Sequence, residues 1–331
     1  MGVTSIEWTD RTWNPVSGCT RVSAGCARCY IERTPPLRMY GRKFDRPGIG
    51  GTTGVELHDG GRMFQPLSWR TPCKVFVCSL ADLFHDQVPD EHVAKVWATM
   101  ARAPRHTFQV LTKRPARMRS LLSSPVFAAR VAQIIGGTAD LVWPLPNVWC
   151  GTSTEDQETA ELRIPILLDT PAAVHWISAE PLLGSLDVSG WLRPRPGCAH
   201  VGADGCCRHA ASATPECHTG VTCPLTPAWH GLGWVVLGGE SGPGARAMDP
   251  TWVRSLRDQC AGAAVPFLFK QWGGRTPKTA GRTLDERTWD ETPHPTATNP
   301  DTLTLNQQIR PVDEDRHSGT TLAASAAGGR S

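Results

Sequence analysis

No apolar run in this 331-residue chain reaches the ~18 residues that a membrane span requires. The first residues also lack the basic, apolar and small-residue order of a secretory signal. A strong charge of one sign is missing too. The net charge is +3, so no global polyanion-binding surface is expected and any nucleic-acid contact has to be local. No internal repeat of fixed period is present. These absences predict a cytoplasmic protein that makes no membrane contact. In that compartment, twelve cysteines speak for metal and redox chemistry rather than disulfides. The length suits one large α/β core with insertions as well as two small domains.

Three of the cysteines, Cys19, Cys26 and Cys29, are spaced C-x6-C-x2-C on a Gly-containing loop just past a short apolar strand. Thiolates gathered this way bind soft metals and iron–sulfur clusters. A structural zinc or a simple electron-transfer cluster takes four protein ligands, whereas three leave one metal position open for a small molecule. Two other readings compete. A Cys-x2-Cys pair alone occurs in thioredoxin-like redox motifs, and it also forms half of a zinc site completed from elsewhere. Unreactive core cysteines fit a polar, Gly-rich loop poorly. The pattern favours an iron–sulfur centre.

Six apolar runs read as strands: residues 73–78, 107–111, 147–150, 174–177, 234–237 and 266–269, with a first strand before Cys19. Runs of this kind suit parallel strands buried on both faces. The spacings leave room for the crossover helices that parallel pairing needs. One helix starts at Asp90, with Val93, Val96, Trp97 and Met100 on one face. Another starts at Pro250 after an Asp249 cap, with Val253, Leu256 and Cys260 inward. Thr154 and Gln157 have capping-box spacing for a third. The fold class expected is α/β, a partial (β/α) TIM-like barrel, with a doubly wound sheet as the alternative.

Parallel α/β folds place their sites at the carboxyl ends of strands. The polar residues there are Ser79 and Asp82, Lys113 and Arg114, residues 151–153 including Ser153, residues 178–181 including Glu180, residues 238–242 including Glu240, and Lys270 with Gln271. Parallel strands would gather them beside the three-cysteine loop. Ordinary strand-to-helix loops are polar as well, so single residues carry little weight. A local basic stretch (Arg102, Arg105, His106, Lys113, Arg114, Arg117 and Arg119) suits phosphate binding or a solvated helix face.

Domain boundaries are expected at 1–292 for the barrel, 192–232 for an insert within it, and 293–331 for a tail. The insert carries Cys198, His200, Cys206, Cys207, His209, Cys217, His218 and Cys223 with almost no apolar residues. Such a segment needs a metal to supply folding free energy, and zinc on Cys198, Cys206, Cys217 and Cys223 is the working assignment. A disordered insert and an additional cluster are the alternatives. The tail is too poor in apolar residues to repay ordering and is expected to be disordered.

An iron–sulfur loop after the first strand of a (β/α) barrel resembles the radical S-adenosylmethionine superfamily. Its usual spacing is C-x3-C-x2-C, and this chain has three extra residues between Cys19 and Cys26. The wider pattern is similar to a phage-associated three-cysteine-motif family related to that superfamily. The matching segments are residues 6–10, 13–15, 79–85, 111–115, 180–184, 238–243 and 269–273, so the resemblance spans about 5 to 292 with a gap over the insert. It implies a [4Fe–4S] cluster on Cys19, Cys26 and Cys29 whose fourth iron binds S-adenosylmethionine. It further implies an electron from a reductant such as flavodoxin or ferredoxin, and hydrogen abstraction from a substrate, with nucleic acid the leading guess. Tyr30, Ser79, Asp82, Lys113, Ser153 and Glu180 become candidate cofactor contacts, and Glu240 and Lys270 candidate catalytic residues. The superfamily's Gly-Gly-Glu motif usually follows the second strand, whereas Gly238-Gly239-Glu240 follows about the sixth. The rival from another class is a non-catalytic, metal-stabilised nucleic-acid-binding protein.

Overall fold

Seven strands of the chain join one sheet in which every neighbouring pair is parallel. The computed structural model describes residues 4–137, 141–192, 231–276 and 279–293. The four cysteines assigned to zinc (Cys198, Cys206, Cys217 and Cys223) and the tail from 294 lie outside them. The elements in chain order are β1 (Arg11–Trp13), β2 (Val16–Ser17), α1 (Pro35–Met39), β3 (Glu56–Leu57), β4 (Lys74–Val77), α2 (Asp90–Ala101), β5 (Thr107–Thr112), α3 (Pro115–Leu122), α4 (Pro125–Ile134), β6 (Val148–Ser153), α5 (Gln157–Leu168), β7 (Val174–Ala179), β8 (Trp234–Gly238), α6 (Pro250–Gly262) and β9 (Phe267–Gln271). The sheet order is β1-β4-β5-β6-β7-β8-β9, while β2 and β3 form a separate antiparallel pair. Strands added strictly in chain order leave no reversal point, which rules out the doubly wound alternative.

The sheet curls. Trp8 lies 4.5 Å from the Phe76 ring on β4, and 5.3 and 6.2 Å from Trp176 on β7 and Trp234 on β8. Strands β4 and β8 stand four places apart, so a flat sheet would separate them by roughly 19 Å. One indole reaches both because the strands wrap around it. Among the described residues no ladder joins β9 to β1. The architecture is therefore an open half-barrel.

Alternation along the strands separates two cores. Outward residues such as Val75, Val77, Phe108, Val110, Ile177, Val235 and Phe267 pack with the helix faces that include Val96, Trp97, Ile164, Leu167, Val253 and Leu256. Inward residues Phe76, Trp149, Trp176, Trp234, Val236 and Leu268 form a second cluster around Trp8. Aromatic pairs of this kind add about 0.5–1.5 kcal/mol each beyond their burial. Tryptophan thus fills the lower half of the barrel, and polar residues are left for the upper half.

The expected faces of α2 and α6 are buried as the periodicity implies, and Asp249 accepts from Thr251 N at 2.7 Å. The cap of α5 is displaced from Thr154 and Gln157. Asp156 Oδ1 accepts from Thr159 N at 2.9 Å, and Thr159 Oγ1 accepts from Asp156 N at 3.1 Å. The cause is the length of β6, which runs to Ser153, while the next amide, Thr154 N, donates to Ser178 O. Strands β6, β7 and β9 all continue past their apolar runs. Their polar ends, including Ser153, Ser178 and Lys270, face the barrel interior rather than forming loops.

Candidate functional site

A cavity of about 430 Å³ opens at the carboxyl end of the half-barrel. Its floor includes Trp8, Phe76 and Leu111, the upper edge of the interior aromatic cluster. Its wall includes Cys19, Cys26, Cys29, Tyr30, Ser79, Asp82, Lys113, Ser153, Glu180, Glu240 and Lys270. Every barrel residue singled out from the sequence as a cofactor, metal or catalytic candidate therefore meets the same space. A mainly apolar cavity with convergent polar groups, in the range of about 300–1,000 Å³, is the usual form of a small-molecule site.

The cysteine loop is held from several sides. Cys19 N donates to Thr53 Oγ1 at 2.9 Å, and Thr53 N donates to Cys19 O at 3.0 Å. Arg21 stacks on Phe44 at 3.7 Å and donates to Cys26 O at 3.1 Å. Ser23 Oγ donates to Glu155 Oε1 at 3.0 Å, and Arg246 Nη2 donates to Ala24 O at 3.1 Å. Gly25 packs on the Glu155 side chain, where a Cβ would come within 2.4 Å of Cγ. Tyr30 Oη donates to Ser79 O at 2.5 Å, and the Ser79 hydroxyl pairs with the Asn14 amide. The residue before Ser79, Cys78, has φ +62°, a left-handed geometry unusual for a side chain with a Cβ. It turns the chain sharply at the mouth of the cavity.

Besides Glu7, four carboxylates line or back the cavity, and each of these four is matched. Asp82 accepts from Phe84 N, Lys113 N, Thr112 Oγ1 and Arg114 Nη1, the last at 3.0 Å. Fully buried Glu155 bonds Lys113 Nζ and Arg163 Nη1, each at 3.0 Å. Glu180 Oε1 meets Lys270 Nζ at 2.9 Å, and its Oε2 accepts from Ser178 at 3.1 Å. Glu240 is clamped by Arg246 at 2.5 Å and touched by Arg28 at 3.4 Å. Burial alone would raise the Glu155 and Glu240 carboxyls, but these cations hold both below the usual carboxylate range. Asp82 and Glu240 are thus committed to protein donors. The Glu180–Lys270 pair is less enclosed and faces the cavity.

The glycines of the Gly-Gly-Glu segment serve protein neighbours. A Cβ on Gly238 would stand 2.6 Å from Glu180 Oε1, and one on Gly239 would stand 2.0 Å from the Trp272 carbonyl oxygen. They make room for the carboxylate and for the chain just past β9.

The donor set can be tested against an iron–sulfur centre. All three thiols are free and half-buried. Burial pushes the Cys19 thiol up to about 12, with Asp82 adding to the rise and Arg114 opposing it. Burial raises Cys29 too, against the Ile31 amide. A bound metal is what would hold Cys19 and Cys29 as thiolates at neutral pH. Six cations (Arg28, Lys113, Arg114, Arg163, Arg246 and Lys270) stand against five carboxylates, Glu7 included. That excess suits added thiolate charge. Among the described residues no three Cys, His, Asp or Glu side chains close around a single metal ion. A cluster spreads its ligands more widely, since each thiolate binds a different iron. Cys19, Cys26 and Cys29 line one cavity, and they are the residues that would hold such a cluster.

A family model for a protein of unknown function, DUF5131, matches residues 3–293, most of the chain. The chain belongs to the DUF5131 family. No curated protein and no solved structure matches it.

In this DUF5131 protein several site residues carried no readable sequence signal. Glu155 lies between Thr154 and Gln157, the pair with capping-box spacing, and Arg246 sits in no recognisable motif. The basic stretch is mostly used internally. Arg105 donates to Trp69 O and Leu67 O, His106 contacts Pro66 O, and Arg117 meets Val88 O and Asp90. Among the described residues no helix is long and apolar enough to cross a membrane.

Proposed function

We propose that this DUF5131 protein is a radical S-adenosylmethionine enzyme. The observation that carries the reading is that Cys19, Cys26 and Cys29 share one cavity wall with Tyr30, Lys113, Glu180 and Lys270 at the open end of a parallel half-barrel. The three thiolates would each hold one iron of a [4Fe–4S] cluster and leave the fourth iron to S-adenosylmethionine. When bound, that pair would supply one-electron reductive cleavage of the sulfonium C–S bond, with methionine as the leaving group and the electron from a flavodoxin- or ferredoxin-like reductant.

The chain's own residues bind, orient and exclude water. Arg21, Ser23 and Thr53 fix the cysteine loop, and Glu155 ties it to β6 through Ser23. Lys113, Ser153 and Glu180 offer charged and hydroxyl contacts to a zwitterionic ligand, and Ser79, with Tyr30 donating to its carbonyl, borders the same space. Asp82 acts by orienting Arg114 and the Lys113 backbone. Lys270, paired with Glu180, is placed to donate to a substrate, and Glu240 holds Arg246 against the loop. The aromatic floor keeps the lower barrel dry.

Anaerobic reconstitution tests this. The expected product is a brown protein with about four irons and four sulfides per chain. With S-adenosylmethionine and dithionite it releases 5′-deoxyadenosine, measured by mass spectrometry. Serine at Cys19, Cys26 and Cys29 should abolish the colour. A colourless protein that takes up zinc alone would instead support the non-catalytic binding module.

A further inference from the structure

The loop that braces the cysteines is unusual on its outer side. Between Arg28 and Arg46 the chain places six cations and two acids. Arg38 and Lys43 are exposed and have no carboxylate partner among the described residues, and Arg46 meets a backbone carbonyl, Gly50 O. Beside them Met39, Tyr40 and Ile49 are 77%, 78% and 71% exposed. Apolar groups this bare, clustered within eleven residues among unpaired cations, mark a recognition surface rather than incidental exposure.

The surface is built on a fixed base. Arg42 donates to Ser17 Oγ, Gly54 O and Glu56, and it packs against Gly18, where a Cβ would lie 2.4 Å from Nη2. Phe44 is capped by Arg21. The loop is therefore rooted one residue from Cys19.

We infer that this loop, residues 38–49, docks a single-stranded nucleic acid, with Tyr40 stacking on a base and Arg38 and Lys43 on phosphates. Stacking needs an unpaired base face, and cations interleaved with an aromatic platform are how single strands are held without sequence readout. A membrane surface would call for tryptophan or phenylalanine at the apolar tips. The chain has thirteen tryptophans, none of them on this loop, and the loop's phenylalanine, Phe44, is half-buried under Arg21 rather than at a tip. The inference rests on the proposed function only in making that strand the substrate.

Fluorescence anisotropy on the full chain, without S-adenosylmethionine, tests the docking with labelled 15-mer DNA and RNA of one sequence. Tight binding of either strand type supports it, and the tighter one names the source. Tyr40→Ala should weaken binding on the order of tenfold. Replacing Arg38 and Lys43 by glutamine should flatten the slope of log K against log salt by about 1.4. Wild-type affinity in both variants, equal binding of a duplex that ignores Tyr40→Ala, or binding to phosphatidylserine vesicles but to neither oligonucleotide would overturn it. Oligonucleotide binding without 5′-deoxyadenosine release refutes only the enzyme reading. Release without binding refutes only the docking.

Discussion

Arg114 brings one guanidinium nitrogen to 3.9 Å from the Cys19 sulfur while donating from the same nitrogen to Asp82 at 3.0 Å. Its other terminal nitrogen donates to Thr20 O at 3.1 Å. The fork is thus fixed at three points, and a positive charge is aimed at one thiol of the three. Hydrogen bonds and charge beside a ligand sulfur raise the potential of an iron–sulfur centre. Arg114→Lys keeps the charge but loses the planar fork, and Arg114→Gln loses both. The reconstituted centre should become harder to reduce in Arg114→Gln, and less so in Arg114→Lys. Redox titration followed by electron paramagnetic resonance reads this. An unchanged midpoint in a folded Arg114→Gln protein would remove Arg114 from that role.

Glu155 is the buried tie between the cysteine loop and the barrel. Changing it to Gln leaves Lys113 and Arg163 without their shared carboxylate. Breaking one side of a buried ionic set costs about 3–5 kcal/mol, which should show in the urea midpoint. The loop itself should open in Glu155→Ala, where Ser23 loses its acceptor, so limited proteolysis between residues 19 and 30 should quicken. Stability lost with an unchanged cleavage pattern would confine Glu155 to the barrel.

Much of the fold was legible because parallel strands buried on both faces must be apolar throughout, as residues 75–77 and 234–238 are. The same property hid which side faced inward. Trp149, Trp176 and Trp234 read as strand residues, yet only the curl of the sheet assigns them to the barrel interior. The site's convergence was legible too, since parallel strands bring Lys113, Ser153, Glu180 and Lys270 to one end. What escaped was pairing over long separations. Arg246 reaches Ala24, and Arg42 reaches Ser17, through folding alone. The Gly238-Gly239 pair is ambiguous in sequence, because close approach to Glu180 and to Trp272 O demands the same residue as close approach to a ligand.

The barrel floor yields a packing test. A Cβ on Gly151 would lie 2.4 Å from the Trp176 ring, and Trp176 is hemmed in by Trp8 and Trp234. Gly151→Ala should cost about 1–3 kcal/mol through overpacking and shift the tryptophan fluorescence. Gly61→Ala meets no neighbour within 4 Å and serves as the control. Equal midpoints for the two variants would mean that the interior cluster is loosely packed.

Stability should also depend on pH between 7.5 and 5.5, and the direction follows from buried imidazoles, His106 and His92 with His85. His106 Nε2 contacts Pro66 O at 3.2 Å and its Nδ1 contacts Cys73 Sγ at 3.3 Å; His92 Nε2 contacts Pro15 O at 3.0 Å. Burial lowers both below the ordinary 6.5, with Arg105 next in order for His106 and the Pro15 carbonyl opposing in His92. Below pH 6.5 the unfolded chain therefore binds protons that the folded chain refuses, and stability falls with pH. The loss is at most about 1.4 kcal/mol per pH unit for each histidine. Stopping at pH 5.5 keeps Glu155 and Glu240, held below the usual carboxylate range, out of the transition. Urea midpoints should be level from pH 7.5 to 7 and decline from 6.5 downward, and His106→Gln should make that decline shallower. A midpoint that stays level to pH 5.5, or a slope that His106→Gln leaves untouched, would show that His106 does not sit in the fold as a neutral, proton-refusing group.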